Sequence, residues 1–120
     1  MTVTKISSRS SFLVFRDLLE VGQAFDTYGA LRAARKGPYP VTYGQLSSEY
    51  RASVDNADYV VFSYVTPIAW RDRTSGEWTM PDERYSQTTS CHQGKIRTAL
   101  SVLHKRYDSE SGEYVPVAAS

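Results

Sequence analysis

Apolar positions crowd the middle of the chain. The run from Asp58 to Val65 (DYVVFSYV) is rich in β-branched and aromatic residues, which suit a pleated, half-buried surface, and it predicts a strand. Pro67 lacks the amide donor a central ladder needs, so a bend, bulge or edge is expected at Thr66-Pro67. Extended structure should resume over Ile68 to Arg71, turn through Asp72 to Gly76, and return over Glu77 to Met80. Such a hairpin would set Trp70 and Trp78 near each other, and it needs a cover. The pattern then changes period: at about 100° per residue, His92, Ile96, Ala99, Leu100, Leu103 and Tyr107 share one face, with Gly94, Thr98, Ser101 and Lys105 opposite. Ser90 and Gln93 have capping-box spacing, which predicts a helix starting at Ser90, and His104, Lys105 and Arg106 would place cations at its negative end.

Upstream, residues 1–11 are polar and read as a flexible arm. Phe12, Phe15, Leu18 and Leu19 recur at helical spacing, with Ser11 before them and Gly22 as a stop, which predicts a first helix; Phe12 to Phe15 would also suit a short buried strand. The segment from Phe25 to Lys36 favours helix through Ala30 to Lys36, with Gly29 weakening its start. Leu46, Tyr50 and Val54, four apart, predict a short helix before Asp55-Asn56. Past the main helix, residues 108–112 read as a turn, Tyr114 to Val117 as an edge strand and 118–120 as a frayed tail. The expected fold is α+β, one globular domain over 12–117. In it, a small antiparallel sheet of three to four strands, centred on residues 58 to 80, lies under one long amphipathic helix, with shorter N-terminal elements completing the core.

Composition narrows the functions. At 120 residues the chain can bury one core without staples, and the single cysteine, Cys91, excludes an internal disulfide and fits a reducing, cytoplasmic setting. No run approaches the ~20 apolar residues of a membrane span. A net charge of +1 means that any phosphate-binding face must be local. Nine tyrosines suit contact surfaces as well as sheets.

His92 is the most chemically suggestive side chain. Beside helix N-terminal amides and the hydroxyls of Thr88, Thr89 and Ser90 it could bind an anion or transfer a proton; the plainer reading is a histidine hydrogen-bonded to the sheet that docks the helix. Cys91 and His92 are adjacent, so about 100° apart on a helix, which argues against a nucleophile–base pair. Neither these two nor His104 has ligand spacing, and no metal or cofactor is expected. Lys95, Arg97, Lys105 and Arg106 flank the helix and, with Trp70, Trp78 or Tyr64 as stacking platforms, would serve nucleic-acid contact.

Tyr59 to Trp70 (YVVFSYVTPIAW), followed by Gly76-Glu-Trp78, Pro81-Asp82 and Tyr85 to Gln93 (YSQTTSCHQ), resembles a group of small uncharacterised proteins encoded by actinobacteriophages and other mobile elements. That resemblance implies a phage setting and supplies no mechanism. The expected role is a non-enzymatic accessory protein that binds a host protein, as inhibitor or adaptor. Its surface would combine Tyr64, Thr66, Trp70, Trp78 and Tyr85 with the helix entrance Thr88, Thr89, Ser90, His92 and Gln93. The competing classes are a nucleic-acid binder on the basic flanks and a small hydrolase or nuclease using His92.

Overall fold

A computed structural model describes residues 3–27, 29–37 and 41–117. Strand β1 (Thr4–Ile6) leads through helix α1 (Phe12–Val21) to β2 (Phe25–Thr27), and β1 and β2 pair in parallel. Strands β3 (Leu31–Arg35), β4 (Ala57–Ser63), β5 (Thr66–Asp72) and β6 (Trp78–Thr79) then add in sequence, each antiparallel to the last. The result is a six-stranded mixed sheet in the order β1-β2-β3-β4-β5-β6. Helix α3 (Gln87–Ser101) crosses back over it, and β7 (Lys105–Asp108) with β8 (Glu113–Pro116) forms a separate two-stranded ribbon.

The α+β class stands, but the expected small antiparallel sheet under one long helix does not. The sheet is larger and mixed, and its longest helix among the described residues has 15 residues. Three local misreadings account for the difference. Thr4–Ile6, assigned to an arm, pairs with Phe25–Thr27. Leu31–Arg35, assigned to a helix, is a strand whose Leu31 and Ala33 are buried while Arg32 and Ala34 are half-exposed. Ala, Leu and Arg favour helix intrinsically, yet pairing with β4 overrides that preference. Finally α3 stops at Ser101, with His104 at φ +57 and Lys105 and Arg106 in β7, so the expected basic last turn belongs to a strand. The expected frayed tail lies outside the described residues.

α1 follows its local signals. The Ser11 side chain accepts from Leu13 N–H, and Gly22, at φ +63, closes the helix by donating to Leu18 and Leu19 carbonyls. α1 and α3 lie side by side on one face of the sheet. Phe15, Leu19, Phe25, Leu31, Tyr59, Val61, Ile68 and Ile96 fill the core between. On the other face, a 3-10 turn (Ser48–Tyr50) running into α2 (Arg51–Asp55) and the preceding loop cover Leu46, Val54, Ala57, Val60, Phe62 and Trp70. The short helical segment read from Leu46, Tyr50 and Val54 is therefore present. β4 is buried on both faces, which is why its apolar run is nearly continuous instead of alternating. Its pairing with β5 shifts register between Val61 and Phe62, and Phe62 then faces Pro67, so the proline sits at an irregularity as expected.

Candidate functional site

Two elements meet at the site: the β4–β5 turn and the start of α3. Ser63 pairs with Thr66, so Tyr64 and Val65 alone form the turn, two positions earlier than the proline suggested. Tyr64 takes φ +57, in the left-handed region, and its N–H donates to Ala30 O at 3.0 Å. Both turn side chains are held outward, Tyr64 at 55% and Val65 at 56% exposure. Behind them the loop before the 3-10 turn is pinned to the hairpin, Gln45 N–H donating to Thr66 Oγ1 at 2.9 Å.

α3 is capped four residues before the expected position. Ser86, not Ser90, is the N-cap, its Oγ accepting from Thr89 N–H at 3.1 Å. Gln93, expected to close a box with Ser90, instead donates to Glu83 O at 2.8 Å. Starting at Ser86 lets Thr89 face the sheet, where Ser63 Oγ lies 3.0 Å from Thr89 Oγ1 and 2.7 Å from His92 Nδ1. Between the hairpin tip and this helix entrance opens a cleft of about 350 Å³, walled by Gln45, Tyr64, Val65 and Thr66 on one side and Tyr85, Ser86, Thr88 and Thr89 on the other, with Ser63 between them. Its lining carries hydroxyls, one amide and two tyrosines, and no charged side chain. The Tyr85 hydroxyl is buried without a hydrogen-bond partner among the described residues, and burial, with the Glu83 carboxylate nearby, pushes its pKa up.

The structure thus divides the surface expected from sequence. Tyr64, Thr66, Tyr85, Thr88 and Thr89 share the cleft. Trp70 does not: it is fully buried on the far face, its indole N–H donating to Ser53 Oγ at 2.7 Å and its ring edge-on to Tyr50. The register Trp70↔Thr79 and Arg71↔Trp78 puts the two tryptophans on opposite faces, and Trp78 meets Tyr59 instead. Ser90 and Gln93 line a depression beside Asp82 and Arg97, and His92 lines a third cleft with Cys91 and Lys95. The four cations suggested for nucleic acid are dispersed. Lys95 Nζ donates to Ser10 O at 2.8 Å, Arg97 lies 3.7 Å from Asp82, and Arg106 pairs with Glu20 at 3.0 Å; Lys105 sits on the ribbon. Gln45, Ser63, Val65 and Ser86 were not singled out beforehand. Ser63, Val65 and Ser86 lie inside the two stretches of the mobile-element resemblance, which would have found them; Gln45 arrives through a loop with no local signal.

Ser63 and His92 form a hydroxyl–imidazole pair at catalytic distance, but Ser63 is only 1% exposed, and no carboxylate contacts His92 among the described residues. The pair fastens α3 to the sheet. Burial holds the His92 pKa below its ordinary 6.5, so on acidification the unfolded chain takes up the proton first. Stability contributed by His92 is therefore complete above about pH 6.5 and lost as pH falls through the window between that value and the lowered folded one. His92→Asn should flatten the pH dependence of the urea midpoint below about pH 6.5. Equal slopes in variant and wild type would remove His92 as the cause.

Fold and site together define an α+β domain with an uncharged, hydroxyl-lined cleft where a hairpin tip meets a helix start. The chain belongs to the family of unknown function DUF8033, which matches residues 1–110. No curated protein and no solved structure matches it. Among the described residues no helix is long and apolar enough to cross a membrane.

Proposed function

We propose that this protein is a non-enzymatic binding module that engages a partner protein through Tyr64 and Val65 and the cleft beneath them. One observation carries the reading: a tyrosine in the left-handed region, at φ +57, is held 55% exposed at the tip of a two-residue turn, beside an equally exposed valine. That backbone costs a side-chain-bearing residue about 1–2 kcal/mol, and glycine or asparagine would avoid most of it. Strain kept at an exposed aromatic marks a side chain retained for contact. Tyrosine is a common interface anchor, and hydroxyls around an apolar pair supply the polar rim that excludes water. The uncharged lining favours protein over nucleic acid, whose phosphates call for cations. The two stretches that resemble mobile-element proteins converge on this cleft, which supports an accessory role toward a host protein. Cys91, free and exposed, suits a reducing cytoplasm.

Capture from host lysate by the wild-type chain and by Tyr64→Gly/Val65→Ser tests the reading. A discrete protein should be retained after nuclease treatment and through moderate salt, and the double variant should lose it without a lower melting temperature, since glycine relieves the turn. Retention of the same protein by the variant would remove the hairpin tip from the interface. Nuclease-sensitive, salt-sensitive recovery would point to nucleic acid instead.

A further inference from the structure

Across the Ser63–His92 seam lies the third cleft, of about 310 Å³, between the Ser8–Arg9 turn and the first half of α3. It plays no part in the reading above. The hydroxyl network has one arrangement in which His92 offers a donor there. Ser86 Oγ accepts from Thr89 N–H and donates to Thr89 Oγ1 at 3.1 Å; in the arrangement where Thr89 gives its proton to Ser63, the Ser63 proton goes to His92 Nδ1. A ring nitrogen that accepts carries no proton, so in that arrangement the neutral imidazole holds its proton on Nε2. That N–H has no acceptor among the described residues, and His92 lines the cleft.

The neighbouring groups are of the same kind. The Arg9 guanidinium is exposed and makes no hydrogen bond or ion pair among the described residues. The Lys95 ammonium is anchored by Ser8 and Ser10 carbonyls, at 3.5 and 2.8 Å, so its charge is fixed at the cleft wall. No carboxylate lines this cleft. The Arg9 guanidinium and the His92 ring, brought together from separate segments beside the fixed Lys95 charge, face no carboxylate in this cleft. Ser8 and Cys91 complete the polar lining, and the space exceeds that of one tetrahedral anion, leaving room for a small organic substituent.

We propose that this cleft binds a small phosphate-type oxyanion, held by Arg9, Lys95 and His92 Nε2–H. A guanidinium forks onto paired oxygens, while the ammonium and imidazole each supply a further charge-assisted or neutral donor. A long polyanion is the poorer fit, because Arg97 and Arg106 face Asp82 and Glu20 instead of extending this patch.

Cys91 lines the cleft and is exposed, so its alkylation by neutral N-ethylmaleimide reports occupancy. Inorganic phosphate and AMP should slow that reaction, about threefold at twice the dissociation constant, and raise the melting temperature relative to chloride at matched ionic strength. Arg9→Gln, at an exposed position, should keep the fold and lose both effects, and Arg9→Lys should retain them in part. Absence of protection, equal protection by chloride, or full protection in Arg9→Gln would overturn the proposal. Protection by single-stranded DNA alone would overturn it too, by assigning the cleft to a polyanion.

Discussion

Trp70→Ala is expected to cost about 3–5 kcal/mol of stability, as large-to-small changes of buried aromatics do, and so to remove a large share of the ~5–15 kcal/mol typical of a small domain. Trp70 is the largest fully buried side chain and stands at the centre of the α2-side core, with Tyr50 edge-on at 6.1 Å. Its removal leaves a cavity between β4, β5 and α2 and strips Ser53 of its hydrogen-bond donor. Urea unfolding should show a much lower midpoint with an unchanged slope. Trp78→Ala, at a half-buried position on the other face, should cost clearly less. Equal costs, or a Trp70 variant as stable as wild type, would mean that the two tryptophans share an exposed face after all.

Gly44→Ala should be the most damaging glycine substitution around the cleft. Gly44 sits at φ +50, and an added Cβ would fall 2.8 Å from both Thr66 Cα and Val65 O, backbone atoms of the hairpin that cannot swing aside. Left-handed strain of about 1–2 kcal/mol and overpacking of about 1–3 kcal/mol give a total of roughly 2–5 kcal/mol. Relief would come by lifting the loop away, which breaks the Gln45–Thr66 hydrogen bond and removes one wall of the cleft. Hydrogen exchange should accelerate over residues 41–46 and the hairpin tip. Gly76→Ala makes the control: at φ +74 with no atom within 4 Å of the new Cβ, it carries the strain without the collision and should cost about 1–2 kcal/mol. Identical exchange in both variants would contradict the close approach at Gly44.

Where structure follows local chemistry, the sequence was readable. α1 is bracketed by Ser11 and Gly22, both of which act in the expected way, and the β-branched crowding of β4 marks a strand on any reading. Where long-range pairing decides, it was not. Ala33 and Ala34 satisfy a helix as well as a strand until Val61 and Val60 lie opposite them. Ser90 was the cap expected from spacing with Gln93, and Ser86 takes the role because Thr89 and His92 reach Ser63 across 26 and 29 residues. The tryptophans were placed on the right strands and the wrong faces, because a hairpin's register cannot be told from its turn composition when a one-residue slip reverses every side chain. The candidate site was half legible: the two stretches that meet at the cleft stood out, while the loop bringing Gln45 did not, and the outward hold of Tyr64 and Val65 depends on a turn two residues from where the proline seemed to place it.

The most direct test of a protein-binding hairpin tip is a photo-crosslinking residue, p-benzoylphenylalanine, placed at Tyr64 and, separately, at Tyr107, which is 61% exposed on the ribbon. Irradiation in host lysate should yield one discrete protein adduct from position 64, abolished when Thr88→Trp fills the cleft, and none of that mass from position 107. No adduct at position 64, or the same adducts from both positions, would contradict the account.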